Sequence, residues 1–305
     1  MNNIKTVNIF DKQVLIKANC CCETNKCLIN KYPKLNLYIY INDMCNARCS
    51  FCNVYKKESN KSIINQIKLK EVLHELQNKN LLGRIAIAGG ETTLDVNILN
   101  DTLKSIYETC GKNQIVTMNT NGYKLLEIRD MQYFNVLTGI HISRHHYNDE
   151  NNRDIFQTSK IASLNDIITF QNSVKDKQLL RLNCNLVQGY IDNCTEIKKY
   201  LNMAGSLNIF RVGFVSLMPL NQFCIDNFVD FNSLNLEQEK ELVGFGRTYD
   251  LDICECYNAL YVSEVGKPID TYFRKVKDLN CPYSRQLVYT NDNKLICGFN
   301  QEPIY

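Results

Sequence analysis

Between positions 35 and 217 the chain alternates β-like and helix-like runs, and that alternation restricts its fold more than any other feature. The β-like runs lie at 35–41 (LNLYIYI), 84–88 (RIAIA), 114–119 (QIVTMN), 136–143 (VLTGIHIS), 179–186 (LLRLNCNL) and 208–217 (NIFRVGFVSL). They are rich in β-branched, aliphatic and aromatic residues, the types that suit a pleated surface. Helical patterns near 60–79, 96–110, 164–173 and 193–203 separate them. Strands joined through helices pair in parallel, because a crossover returns the chain to the same end of the sheet. The pattern therefore predicts a parallel α/β core over 35–221. An N-terminal extension (1–34) precedes it, and a small cysteine-rich C-terminal subdomain (222–305) follows. In that last segment the sequence predicts a helix over 234–247 and a hairpin over 287–299, turning at 291–293.

Ligands of parallel α/β folds bind where strands end at their C-terminal side. The unusual polar stretches of this chain fall at those ends. MCNARCSFC follows the first strand, GGETT (89–93) the second, and NTNG (119–122) the third. SRHH (143–146) ends the fourth, and NCN (183–185) lies late in the fifth. Their convergence on one rim points to a single site.

Composition narrows the function classes. With 305 residues, 45% of them hydrophobic, the chain can bury a substantial core. No apolar run is long enough to span a bilayer, and the N-terminus has no signal-peptide core, so a soluble cytoplasmic protein is expected. A net charge of +3 is too small to argue for nucleic acid or an acidic membrane as partner. The fifteen cysteines are the anomaly. Without a secretory context that number favours metal or redox chemistry over a disulfide framework.

Cys45, Cys49 and Cys52 are spaced C-x3-C-x2-C, with Phe51 directly before the last. A structural zinc site needs four ligands and usually brings paired C-x2-C knuckles, and no partner pair follows here. A ferredoxin run does not fit either. Three thiolates can hold three irons of a 4Fe–4S cube and leave the fourth open. This loop, after a first strand and followed by AGGETTL after the second, resembles the radical S-adenosylmethionine (SAM) superfamily. Thr92 stands where many members have proline.

The resemblance implies an incomplete (β/α)6 barrel, a partial TIM-like fold. It implies that Cys45, Cys49 and Cys52 bind a 4Fe–4S cluster whose fourth iron is chelated by SAM. By the same resemblance Phe51 lies against the adenine, and Gly89 and Gly90 let backbone approach the methionyl amine. Glu91 helps to hold that amine, and Ser143 and Asn185 face the ribose and carboxylate. The competing readings are a core aromatic for Phe51, a helix N-terminal charge for Glu91 and strand-end hydrogen bonding for Ser143 and Asn185. Val215 and Leu217 either flank the adenine or belong to the core. Thr120, Asn121 and Gly122 read as a turn. Arg144, His145 and His146 read either as substrate-binding groups at the barrel mouth or as solvated loop residues.

Cys254, Cys256, Cys281 and Cys297 match the ligand count of an auxiliary 4Fe–4S cluster, with zinc as the competing metal. Their layout faintly resembles the C-terminal extensions called SPASM and twitch domains. Cys20, Cys21, Cys22 and Cys27 could supply a ligand to the same site. Cys224 stands apart from both groups. Some radical SAM epimerases return a hydrogen atom from such a thiol, and a small buried hydrophobe is the alternative. Cys110, Cys184 and Cys194 are assigned to packing.

The resemblance implies an enzyme, an oxidoreductase or epimerase, that splits SAM reductively. Its 5′-deoxyadenosyl radical takes hydrogen from an unactivated C–H bond. The partners expected are an external low-potential donor of flavodoxin or ferredoxin type and a peptide or small-molecule substrate. A non-catalytic iron–sulfur or zinc-binding module is the alternative.

Overall fold

The computed structural model describes residues 4–17, 34–52, 63–176, 179–250, 254–276, 286–297 and 303–305. Six parallel strands form its centre: β3 (Leu35–Tyr40), β4 (Leu82–Ala88), β5 (Val116–Thr120), β6 (Gly139–Ser143), β7 (Leu180–Leu186) and β8 (Arg211–Ser216). They lie side by side in chain order. This is the mixed α/β fold with a parallel sheet that the alternation predicts, consistent with a partial barrel.

Helices α1 (Gln66–Asn78), α2 (Val96–Cys110), α4 (Leu164–Ser173) and α5 (Cys194–Ser206) cover one face, and α3 (Asp149–Phe156) packs its last residue against the cysteine loop. Each begins on an Asn, Asp or Ser side chain that accepts from backbone N–H groups of the first turn, and Ser163 forms a full capping box with Asp166. Each such cap stabilises its helix by about 1 kcal/mol. The β5–β6 connection has only two short 3-10 turns, at Ile128–Asp130 and Phe134–Val136.

The sheet has two unlike faces. Leu37, Ile39, Ile85, Ile87, Met118, Ile140, Leu182 and Phe214 are fully buried and join the core with Leu69, Leu73, Leu99, Leu103, Tyr200 and Leu201 of the helices. The alternate residues, such as Tyr38, Tyr40, Asn119, Ser143, Asn183 and Asn185, are polar and half-buried. Parallel sheets covered on both faces read as continuous apolar runs. The alternation here leaves the second face as a polar concavity.

The C-terminal segment contributes to both edges of the same sheet. Strand β11 (Pro268–Val276) pairs in parallel with β8, and β12 (Gln286–Tyr289) pairs in parallel with β3. Strands β10 (Cys254–Val262) and β9 (Leu242–Asp250) extend the sheet antiparallel beyond β11, and β13 (Leu295–Cys297) closes the opposite edge. The expected hairpin is β12–β13, with Asn293 at φ 66° in its turn.

The expected helix over 234–247 is corrected. Leu234 and Leu236 sit in 3-10 turns, and the rest enters β9. Two glycines (Gly244 and Gly246) within six residues weaken a helix, and pairing with β10 satisfies the backbone instead. At the other terminus, β1 (Ile4–Ile9) and β2 (Lys12–Lys17) form a separate hairpin. It docks on α1, where the Phe10 N–H donates to Glu75 Oε1 at 2.6 Å. Among the described residues no helix is long and apolar enough to cross a membrane.

Candidate active site at the C-terminal strand ends

The cysteine loop leaves β3 and continues the β3–β4 ladder beyond the strands. Ile41 N–H donates to Ala88 O (3.0 Å), Gly90 N–H to Asn42 O (3.0 Å) and Glu91 N–H to Met44 O (2.7 Å). This seating needs glycine. A Cβ at Gly90 would lie 1.9 Å from the carbonyl oxygen of Met44, and one at Gly89 would lie 2.6 Å from that of Asn42. The two glycines thus admit the backbone of the residue directly before Cys45.

Glu91 is buried, and its carboxylate is well supplied with donors. Oε1 accepts from Thr93 N (2.8 Å), Thr93 Oγ1 (2.7 Å) and Thr120 Oγ1, and Oε2 accepts from Asn121 N (2.6 Å). The carboxylate therefore latches the end of β4 to the end of β5. Asn121 passes the connection on: its Nδ2 donates to Asn46 Oδ1 at 2.9 Å and lies 4.0 Å from Cys45 Sγ. Gly122 packs on Ala162, whose Cβ would be 2.4 Å from an added Cβ. The NTNG stretch is more than a turn, since it ties the GGE segment to the cysteine loop.

Cys49 is buried, and Cys45 and Cys52 are half-buried. Ala47 N–H points at Cys45 Sγ (3.4 Å), and Cys52 N–H donates to Cys49 O (3.0 Å). Burial pushes the Cys45 thiol up, with Glu91 and Cys52 adding to the effect. Burial raises Cys49 further, and the neighbouring Cys52 and Cys45 raise it too. All three thiols are within electrostatic reach of one another. Ionising them together requires a cation, and metal binding releases their protons.

On its opposite side the loop makes one backbone bond, Arg48 N–H to Phe156 O at 2.9 Å, and otherwise meets side chains. Asn221, the N-cap of α6 (Gln222–Asp226), donates through Nδ2 to Ser50 O at 3.0 Å. Cys224 is buried with Val187 and Leu217, and its Sγ–H donates to Phe51 O at 3.5 Å. Phe51 meets the His145 ring edge-on at 5.1 Å, and Phe156 stacks on the same imidazole at 4.8 Å. His145 Nδ1 accepts from the Asn185 N–H at 3.0 Å. Burial, and then the charge of Arg144, push its pKa down to about 3. At neutral pH His145 is an uncharged ring with its proton on Nε2.

Arg144, His145 and His146 are all buried rather than solvated. Arg144 pairs with Asp149 at 2.8 Å and donates to Tyr147 O and Ala162 O, so it braces the β6–α3 connection. Ser143 and Asn185 lie half-buried at the ends of β6 and β7, Val215 is half-buried on β8, and Leu217 is buried beside Cys224.

The tail cysteines are spread apart. Cys256 is buried on β10 in register with Arg274, which places it on the polar face. Cys297 is buried at the far edge, in register with Leu287, and faces the helices. The structure does not bring these two together. Only the backbone of Cys254 is described, and Cys281, Cys20, Cys21, Cys22 and Cys27 lie outside the described residues. Sequence reasoning missed Asn42, Asn121 and Asn221. The available signal was an asparagine shortly after each of three strands, one residue beyond β5, two beyond β3 and five beyond β8.

Three observations test the fit of a cluster with SAM. The donors are three thiols on one loop. The glycine cradle holds that loop against β4. The buried Asn42 Oδ1 accepts no hydrogen bond, while its Nδ2 donates to Glu91 O. An unmet acceptor beside the glycines suits an ammonium group, so the residues fit.

Residues 39–171, which contain every element of this cradle, match the radical SAM superfamily. Over that segment the chain carries a radical SAM domain. GTP 3′,8-cyclase of Clostridium botulinum is 27% identical over 198 residues, covering 62% of this chain. The chain spans only 58% of that relative's length. GTP 3′,8-cyclase of Limosilactobacillus fermentum is 25% identical over 230 residues, covering 74% of this chain and 64% of the relative. Among solved structures, a radical SAM methyltransferase from Sphaerobacter thermophilus superposes with a TM-score of 0.50 at 12% identity, covering 77% of this chain and 73% of that one. At that identity the likeness shows the fold alone.

Proposed function

We propose that this chain cleaves SAM reductively and uses the resulting radical on a C–H bond of a peptide or small molecule. The observation that carries the reading is the three-thiol loop seated on the glycine cradle beside the unmet Asn42 Oδ1. Cys45, Cys49 and Cys52 would hold the cluster. When bound, it supplies the electron that breaks a carbon–sulfur bond of SAM. The chain's own residues orient and enclose. Gly89 and Gly90 fix the loop, Asn42 Oδ1 offers an acceptor to the methionyl ammonium, and Phe51, His145 and Phe156 present an aromatic wall that excludes water. A flavodoxin- or ferredoxin-type protein is the proposed electron donor.

Anaerobic reconstitution followed by dithionite should yield 5′-deoxyadenosine from SAM, and Cys45→Ala should abolish it. Wild-type cleavage no higher than the variant's overturns the reading.

The finer reaction is epimerisation, dehydrogenation or cross-linking, and Cys224 decides between the first and the others. Epimerisation with hydrogen return from this thiol leaves one solvent deuterium in the product, lost in Cys224→Ala. A product without solvent hydrogen removes that branch. A second cluster led by Cys254, Cys256 and Cys281 is part of the proposal. About eight irons per chain are expected, and about four would remove it.

A further inference from the structure

Among the described strand positions, the polar face of the sheet carries more cationic than anionic side chains. Arg84 on β4, Arg181 on β7, Arg211 on β8 and Arg274 on β11 alternate with helix-facing residues, so all four point to the concave side. Asp270, 3.6 Å from Arg211 Nε, is the one carboxylate among the described strand positions of that face. It is largely solvent-exposed, which weakens its hold on the guanidinium. The buried Nε atoms of Arg84, Arg181 and Arg274 make no hydrogen bond, although each of these residues has other contacts. Arg181, Arg211, Asp270, Tyr272 and Asn258 line a cavity of about 350 Å³. Tyr272 crosses Gly213 to reach Asn183 Oδ1 at 2.7 Å, and a Cβ on Gly213 would lie 2.1 Å from its ring.

An enclosed barrel interior with only a structural role is filled by branched apolar side chains. Guanidiniums gathered on one concave face repel each other and raise the local concentration of anions. Their planar forks match phosphate and carboxylate oxygens. Arg274 lies four residues along β11 from Asp270, about 13 Å at the strand rise. It pairs with Val215, and Val215 pairs with Asn185, whose N–H meets His145. Arg274 thus lies at the level of the rim that bears the cysteine loop, and Arg181 and Arg211 lie nearer the opposite ends of their strands, with the Tyr272–Asn183 bond in the row between.

We propose that this face binds the anionic part of the substrate, a phosphate or carboxylate group, with Arg181 and Arg211 as its anchor. Only the word substrate rests on the radical SAM reading, since anion binding itself does not.

The test titrates the reconstituted, SAM-loaded protein with pyrophosphate and, separately, with citrate at fixed ionic strength. Calorimetry should show saturable binding of at least one probe, weakened at least tenfold in Arg181→Gln and Arg211→Gln and largely kept in Arg181→Lys. Tighter binding of pyrophosphate identifies the phosphate arm, and tighter binding of citrate the carboxylate arm. Phenylglyoxal labelling of the wild-type chain, read by peptide mass spectrometry, keeps the test open should the variants not fold. The better probe should slow labelling of Arg181 and Arg211 at least tenfold and leave the outer-surface Arg129 unaffected. No saturable binding, or no selective protection, overturns the proposal. SAM cleavage is scored on the same wild-type preparation. Cleavage without anion binding sinks this inference alone, and anion binding without cleavage sinks the radical reading alone.

Discussion

The cysteine loop is held in two different ways on its two sides. Toward β4 the contacts are backbone to backbone, Ile41 N to Ala88 O, Gly90 N to Asn42 O and Glu91 N to Met44 O, and toward β5 the Asn121 side chain, whose backbone the Glu91 carboxylate holds, donates to Asn46 Oδ1. Toward α3 and α6 a single backbone bond, Arg48 N to Phe156 O at 2.9 Å, is joined by contacts that side chains make: Asn221 to Ser50 O, Gln157 Nε2 to Ser50 Oγ at 2.9 Å, Cys224 to Phe51 O, and the Phe51–His145 edge. Backbone contacts fix a position whatever the neighbouring residue types, and they fail abruptly when a Cβ intrudes. Side-chain contacts are softer and can be retuned one at a time. The loop is therefore fixed by three backbone bonds where it meets β4, and by one backbone bond and several retunable side-chain contacts where it meets the aromatic wall.

The largest effect that separates the two sides is expected from Gly90→Ala. An added Cβ 1.9 Å from Met44 O must displace backbone. Iron retained after reconstitution should fall more than tenfold, and the loss of stability should be about 3 kcal/mol or more. Full iron content in this variant would break the comparison. Glu91→Ala comes next, because it strands several buried donors. Denaturant unfolding should show a loss of about 3 kcal/mol, and Glu91→Gln a smaller one.

The third test is acid lability. His145 titrates at about 3 when folded and near 6.5 when unfolded. The unfolded chain therefore binds more protons between those values. The stability contributed is intact above about 6.5 and declines as pH falls toward 3, by at most about 1.4 kcal/mol per pH unit. His145→Gln should flatten that slope in a pH series of unfolding midpoints, and an unchanged slope would remove His145 as its source. The smallest effect belongs to Asn221→Ala. Losing the α6 cap and the Ser50 contact should cost about 1 kcal/mol, with iron content nearly unchanged. Iron loss as severe as that of Gly90→Ala would erase the distinction between the two sides.

The six parallel strands were readable because each run is short, β-rich and followed by a helical period. The cysteine loop and GGE segment were readable because their residue types and spacing are rare. What the glycines contact was not readable, because Met44 O comes from a loop far away in sequence. The helical period over 234–247 does not become a helix, because two glycines weaken it and pairing with β10 satisfies the backbone instead. The roles of Asn121 and Asn221 were hidden for the same reason. An asparagine after a strand looks like an ordinary turn residue until its distant acceptors, Asn46 and Ser50, are known. The charged concave face was present in the alternation of LLRLNCNL and NIFRVGFVSL, but alternation does not say which side the helices will cover.

One consequence concerns how the molecule is made. Strand β12 zips onto β3 only after some 245 intervening residues have been translated, since Gln286 aligns with Asn36 and Tyr289 with Ile39. Until then the margin of β3, the strand that leads into the three thiols, stands unpaired on the ribosome and invites association with other nascent chains. Deleting the last hairpin would leave that margin bare in the finished protein, with clumping rather than mere loss of turnover as the visible result.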